Sequence, residues 1–263
     1  MKLKFYKYQA TGNDFIIIDN RNQDINLREK DIRFLCHRHF GIGSDGLILL
    51  ENSDKADFAM QFFNPDGSGG MMCGNGGRSI VKFAADKGII KERCCFIAPD
   101  GLHFATIKQD IVSLKMVNPT LFQAHQDGYY INTGTSHFTT FVNSVDDINL
   151  LEKGRALRYD ERFSTYNGCN VNFIEETSTN NIKIRTYERG VEDETLACGT
   201  GICAAALTYS VEKQLSEGKH TINISAKGGE LQVEFEKKQD NTFSAPYLIG
   251  EAKKVFVGEI NFS

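Results

Sequence analysis

The sequence predicts an α/β fold of the α+β kind: two duplicated units, each a mostly antiparallel sheet wrapped around a central helix. Three observations carry this reading. Short alternating or apolar runs bounded by turn residues recur through both halves, and few helical periods interrupt them. Residues 202–207, ICAAAL, are apolar on every side, so that helix must be surrounded, and only strands are available to surround it. A weak internal repeat sets GNDFIII near the start against CNVNFIE at 169–175, and each precedes its own Cys-Gly-x-Gly helix start.

The elements follow in chain order. LKFYKY and DFIIID read as the first strands. NLREKDIRFLCHRHFG (26–41) has helical periodicity, with Ile32, Leu35, Cys36 and His39 on one face and Gly41 as its C-cap. Within it, Cys36-His37-Arg38-His39 suggests a metal cluster. No second Cys/His pair matches it, and histidines two apart on a helix face away from each other, so no metal is expected. GIGSDG (41–46) fits neither phosphate-loop nor dinucleotide spacing and reads as a turn. DFAMQFF is a strand, and NGGRSIVKFAADKG is a helix closing on Lys87 and Gly88. Cys94-Cys95 belong to a buried strand, followed by HFATIK and IVSLKMV.

Val117-Asn118-Pro119-Thr120 breaks the chain. It places residues 1–117 in the first unit, with a C-terminal strand at about 255–263 returning to it, and 118–254 in the second. NIKIRTYE, TINISA, ELQVEFE and FVGEINF are later strands, and TGICAAALTYSVEKQLSEG (200–218) is a helix ending at Gly218. In this alignment the first copy holds one extra helix and strand, supplied by 24–50.

Composition narrows the function. A net charge of −4, with basic residues scattered, leaves no footprint for nucleic acid. No apolar run approaches the roughly 20 residues of a membrane span, and MKLKFYKYQA lacks the apolar core of a signal peptide. The chain is expected to be cytoplasmic, with most of its seven cysteines as thiols.

Two cysteines stand out. Cys73 opens CGNGG and Cys198 opens CGTG, each at the start of a helix. Helix N-termini carry unsatisfied N–H groups and partial positive charge, which favour a thiolate and also a bound carboxylate. The glycines leave room for that carboxylate. Placed face to face across a cleft, one thiolate would remove a proton from the α-carbon while the opposite thiol delivers one to the other face. Amide donors would stabilise the enediolate-like charge, each worth on the order of 10²–10³ in rate. This chemistry calls for no cofactor. A thiol redox protein is the alternative from a different class, although redox cysteines usually lie close in sequence.

TGNDFIIID, FFNPDGS, MCGNGGR, NVNFI and YERGVEDETLACGTG together resemble the diaminopimelate epimerase family, from residue 8 to the C-terminus. The resemblance implies a PLP-independent epimerase interconverting LL- and meso-diaminopimelate, on the route to lysine and cell-wall precursors. It also implies two pseudosymmetric domains and a homodimer. By motif, Cys73 and Cys198 become the acid/base pair, and Gly74, Asn75, Gly199 and Thr200 the anion hole for the reacting carboxylate. Asn13, Asn64 and Asn170 become polar substrate contacts, Arg189 grips the distal carboxylate, and Glu188 and His137 support catalysis near the reacting amino group. The chain departs from the family pattern at Thr135, where Gly-Asn-Pro-His is common, and at Gly46, where some members have glutamine. The proline racemase type is the nearest rival, but it typically has histidine where this chain has Asn75.

Overall fold

A computed structural model describes residues 2–261. Residues 1, 262 and 263, which the expected unit ends and the last expected strand reach, lie outside the described residues. The chain divides into two compact units, Met1–Leu114 with Gly250–Ser263, and Lys115–Ile249.

In the first unit, β1 (Lys2–Ala10) and β2 (Asn13–Asp19) form a hairpin, followed by α1 (Glu29–Cys36), β3 (Gly46–Glu51) and β4 (Phe58–Phe63). Then come α2 (Gly74–Asp86), β5 (Arg93–Ala98), β6 (Gly101–Lys108) and β7 (Ile111–Lys115). A C-terminal strand, Lys253–Asn261, pairs antiparallel with β1. Among the described residues of this unit, β2–β3 and β4–β5 are the parallel pairs, and each of those steps is bridged by a helix. The helix α2 packs against β1, β2, β3, β6 and the C-terminal strand. On the other face of the sheet, Ile32, Leu35 and Cys36 of α1 meet Ile16, Ile18, Leu47 and Leu49. Because β2 is covered on both faces, its FIII run is apolar without alternation.

The second unit follows the same plan. It contains β8 (Thr120–His125), β9 (Gly128–Asn132), β10 (Ser136–Phe141), α3 (Leu150–Arg158), β11 (Asn170–Ser178) and β12 (Asn181–Glu188). The short β13 (Asp193–Thr195), α4 (Gly199–Glu212), β14 (Gly218–Ala226), β15 (Gly229–Lys237) and β16 (Tyr247–Glu251) complete it. Its parallel pairs are β10–β11, bridged by α3, and β12–β14, bridged by α4. The all-apolar α4 is buried from Gly201 through Ser210 and packs against β9, β10, β11, β12, β14 and β15. Its polar members turn inward to the helix itself: Thr208 donates to Ala204 O at 2.9 Å and Ser210 to Leu207 O at 2.7 Å.

This topology corrects the expected repeat. Both copies have a helix between the first parallel pair, so 24–50 is not an extra insertion: α3 is its counterpart in the second half. The structural match to β2 is β10, not β11. The hairpin turns Thr11-Gly12-Asn13 and Thr133-Gly134-Thr135 therefore correspond, and both glycines take positive φ (80° and 113°).

Two helix ends also move. The helix expected over 26–41 stops at Cys36, because the His37 ring Nδ1 accepts the backbone N–H of His39 (3.1 Å) and Phe40 (3.2 Å). His39 is thus exposed rather than on the apolar face, and Gly41 is no C-cap. The helix expected to reach Gly218 ends at Glu212, where Gln214 takes the left-handed turn (φ 49°) and Gly218 begins β14. By contrast, α2 closes as expected, with Gly88 at φ 71° after Lys87. Residues 41–45 form the turn expected over 41–46, while Gly46 already begins β3; Cys94 lies buried in β5, its thiol pushed up to about 12 by burial, and Cys95 is half-buried.

Candidate active site

The two cysteine motifs are built alike in their own units. Cys73 is the N-cap of α2, with extended backbone (φ −103°, ψ 151°), and its sulfur accepts the Gly76 N–H at 3.2 Å. That bond satisfies one of the orphan donors of the helix start, at the end of the helix where the dipole favours negative charge. The glycines let the chain close tightly: a Cβ on Gly77 would stand 2.8 Å from Leu114 Cδ2 and 2.9 Å from Met72 Sδ.

Around this helix start, Asn75 is buried and joins the hairpin turn. Its Oδ1 accepts from Arg78 Nη2 (2.9 Å) and Thr11 Oγ1 (3.4 Å), and its Nδ2 donates to Asn13 Oδ1 at 3.3 Å. Asn13 in turn donates to Asp45 Oδ2 at 2.7 Å. The structure thus brings Asn13, Gly74 and Asn75 together at the start of α2. Asn64 is held instead in the turn after β4, donating to Ser68 Oγ at 3.1 Å, and makes no hydrogen bond to the others among the described residues. Gly46 is packed tight: a Cβ there would lie 2.9 Å from the Phe62 ring and 3.1 Å from Phe63 O, so the glutamine of some relatives has no room without rearrangement.

In the second unit Cys198 is the N-cap of α4, again with extended backbone (φ −110°, ψ 112°). Its sulfur makes no capping bond to the helix's own N–H groups and instead faces Thr200 Oγ1 at 3.4 Å. Thr200 Oγ1 also lies 3.1 Å from Thr135 Oγ1 and 2.9 Å from His137 Nε2. The Asn13–Asn75 contact of the first unit and the Thr135–Thr200 contact of the second occupy corresponding places. Thr135, where the family commonly has asparagine, is bound to protein partners rather than left over.

His137 is wholly buried on β10, and burial, helped by the Arg189 charge, lowers its pKa to about 3, so the ring is neutral. Asn170, on β11, donates to Ser136 O (3.0 Å) and Thr135 Oγ1 (3.3 Å) and accepts the Arg189 N–H at 2.9 Å. Arg189 follows Glu188 at the end of β12. Its Nη1 donates to Tyr166 O (3.1 Å) and Gly168 O (3.2 Å), and its Nε and Nη2 bond to no protein group among the described residues. It forms no ion pair with Glu188 or Glu192: Glu192 pairs with Arg158 at 3.3 Å. Burial raises the Glu188 carboxyl above its ordinary range, which suits a group that exchanges a proton. The structure therefore gathers His137, Asn170, Glu188, Arg189, Cys198, Gly199 and Thr200 at one end of the second unit's sheet.

Sequence reasoning missed Thr11, Asp45 and Arg78 in the first unit, and in the second Thr133, which donates to Thr200 O at 2.8 Å, and Asn172 and Thr186, which bond to each other behind the His137 ring. One signal was available: Asn170 and Asn172 alternate on one strand and share a face.

Comparison with known proteins supplies the remaining observations. A family model described as Diaminopimelate epimerase matches residues 5–121 and 129–255. A protein named Diaminopimelate epimerase from Flavobacterium psychrophilum is 45% identical over 256 residues, covering 97% of this chain and 98% of that one. Its namesake from Aquifex aeolicus is 38% identical over 98% of each chain. Among solved structures, a PhzF-family phenazine biosynthesis protein of Bacillus anthracis superposes with a TM-score of 0.78 at 14% identity, over 100% of both chains. A hydroxyproline epimerase from Agrobacterium vitis does so at 0.69 and 14%, over 98% of this chain and 92% of that one. These two likenesses concern the fold alone.

Proposed function

This chain belongs to the diaminopimelate epimerase family, and on that premise we propose a two-cysteine mechanism for it. It is an isomerase that interconverts LL- and meso-2,6-diaminopimelate, in the supply of lysine and peptidoglycan precursors. The reacting carboxylate binds at the helix starts, on the N–H groups of Gly74, Asn75, Gly199 and Thr200. One cysteine thiolate takes the α-proton: the C–H bond breaks, an S–H bond forms, and the electron pair passes into the carboxylate as enediolate charge. The other cysteine gives its proton to the opposite face, forming the new C–H bond and leaving a thiolate for the return reaction. No cofactor enters any step.

The remaining side chains divide between recognition and support. Asn13, Asn64 and Asn170 contact the diamino diacid through either end of their amides. The free edge of Arg189 holds the distal carboxylate. Glu188 and His137 support proton transfer near the reacting amino group. The observation that carries this reading is the matched pair of cysteines, each an N-cap with extended backbone at a glycine-rich helix start. We also read the enzyme as a cytoplasmic homodimer, which sedimentation at micromolar concentration tests.

Cys73→Ala and Cys198→Ala are the direct test, with inversion followed by chiral chromatography. Each substitution alone should abolish it. Full activity in either variant would end the two-base reading.

A further inference from the structure

The polar side chains behind Cys198 have donor and acceptor roles that fit one arrangement. Phe138 O, which can only accept, lies 3.3 Å from Asn172 Nδ2, and Thr186 Oγ1 donates to Asn172 Oδ1 at 3.0 Å. These two contacts fix which end of the amide is nitrogen. That same nitrogen stands 3.1 Å from His137 Nδ1, so Nδ1 accepts and the ring proton sits on Nε2. Nε2–H faces Thr135 Oγ1 and Thr200 Oγ1, each at 2.9 Å.

The rest follows by elimination. Asn170 is oriented in the same way, by Ser136 O on its nitrogen and the Arg189 N–H on its oxygen, so it donates to Thr135. Asn170 donates to Thr135 and the protonated Nε2 cannot accept, so the Thr135 hydroxyl proton has one acceptor among the described residues, Thr200 Oγ1 at 3.1 Å. Thr200 therefore accepts from Thr135 and cannot donate back to it, nor to the protonated Nε2, whose single N–H is shared between the two hydroxyl oxygens. Its own proton goes to Cys198 Sγ at 3.4 Å. All of these groups except Cys198 and Thr200 are on strands or turns of the second unit's sheet, and Thr186, Asn172 and His137 are buried.

We propose that Asn172 and Thr186 are positioning residues that hold His137 in its Nε2–H form, and that this directs the Thr200 hydroxyl proton onto Cys198 and biases its sulfur toward thiolate. The proposal rests on the reading of Cys198 as an acid/base. It assigns Cys198 a different source of stabilisation from Cys73, whose sulfur is met by a backbone N–H of its own helix. The charge that acts on the His137 ring is Arg189, at the end of β12, which neither accepts from nor donates to that ring.

Nitrogen-15 NMR of histidine-labelled protein reads the tautomer, and site-resolved alkylation by iodoacetamide at pH 7 reads the sulfur. In the parent, His137 should show a protonated Nε2 and an unprotonated Nδ1. Asn172→Asp places a carboxylate acceptor at Nδ1, which should move the proton there, make Nε2 an acceptor and draw the Thr200 proton away from Cys198. Alkylation of Cys198 should then slow about tenfold or more, the worth of one hydrogen bond to a charged sulfur. The kcat should fall by a similar factor with KM little changed. Asn172→Leu, which removes the donor without adding charge, should also slow Cys198 alkylation and release the proton from Nε2. A parent ring protonated on Nδ1, or Cys198 alkylation within about twofold of the parent in both variants, would overturn the proposal. Full inversion by Cys198→Ala would remove its premise instead, and would leave the tautomer result untouched.

Discussion

Replacing Gly201 by alanine separates helix propensity from the packing that this site requires. Gly201 lies in the first turn of α4, where its missing side chain leaves space for the Asn172–His137 pair. A Cβ there would stand 2.6 Å from Asn172 Oδ1, 3.2 Å from His137 Cε1 and 3.4 Å from Cys198 Cβ. The first distance is not tolerated, so Asn172 must shift. On propensity alone the change would stabilise the helix by up to about 1 kcal/mol. Against that, overpacking costs about 1–3 kcal/mol. The two bonds Asn172 makes to Thr186 and His137 are worth about 1 kcal/mol each. With both bonds lost the balance is a destabilisation of about 2–4 kcal/mol, or a fall in Tm of roughly 4–16 °C, with a loss of kcat because His137 is displaced. Circular dichroism melts and initial rates of epimerisation measure both. Gly76→Ala, at the matching position of α2, is the control: the nearest atoms to its Cβ would be Cys73 Sγ (3.2 Å), Phe62 (3.5 Å) and Ile48 (3.6 Å), none below 3.0 Å, so the melt should be unchanged or slightly higher. A Gly201→Ala protein as stable and as active as the parent would refute the reasoning.

Other expectations follow from the same residues. Folded His137 titrates near 3 and an unfolded histidine near 6.5, so the unfolded chain binds the extra proton in that window. Stability should therefore be lost as pH falls from about 6.5 toward 3, by at most about 1.4 kcal/mol per pH unit from this group. Urea unfolding of the parent and of His137→Gln at pH 7, 6 and 5 should show the steeper loss in the parent; equal slopes would contradict it. Arg189→Lys should raise KM for the diacid about tenfold with a smaller effect on kcat, since an ammonium cannot reproduce the planar fork. Gly154→Ala should lower stability without touching catalysis, because its Cβ would stand 2.6 Å from Tyr187 Cβ where α3 packs on β12.

What the sequence disclosed was local. A cysteine before glycines at a helix start is legible because the chemistry depends on adjacent residues, and both motifs could be read that way. The all-apolar run in α4 likewise announced its own burial. The helix α3 was missed because its apolar stripe is thin: Leu150 and Leu157 pack on the core, but between and beside them the buried positions are Gly154 and Arg158. Its absence from the reading displaced the repeat by one strand and hid the match of Thr11-Gly12-Asn13 with Thr133-Gly134-Thr135. Helix ends were misjudged where a side chain did the work of glycine: the His37 ring stops α1, and Gln214 turns the chain after α4. The role of Asn172 depends on the parallel register of β10 and β11, in which His137 sits beside Asn170, and no local pattern reports that register.

The central claim, that two different thiols act on opposite faces of one carbon, is tested most directly in D₂O. LL-diaminopimelate and meso-diaminopimelate are each incubated with the enzyme and stopped at low conversion, and the isomers are separated and weighed by mass spectrometry. Two monoprotic bases predict that product carries one solvent deuterium at the inverted carbon while recovered substrate is still protiated, in both directions. Product that retains the original proton, or substrate that exchanges as fast as product forms, would contradict the account.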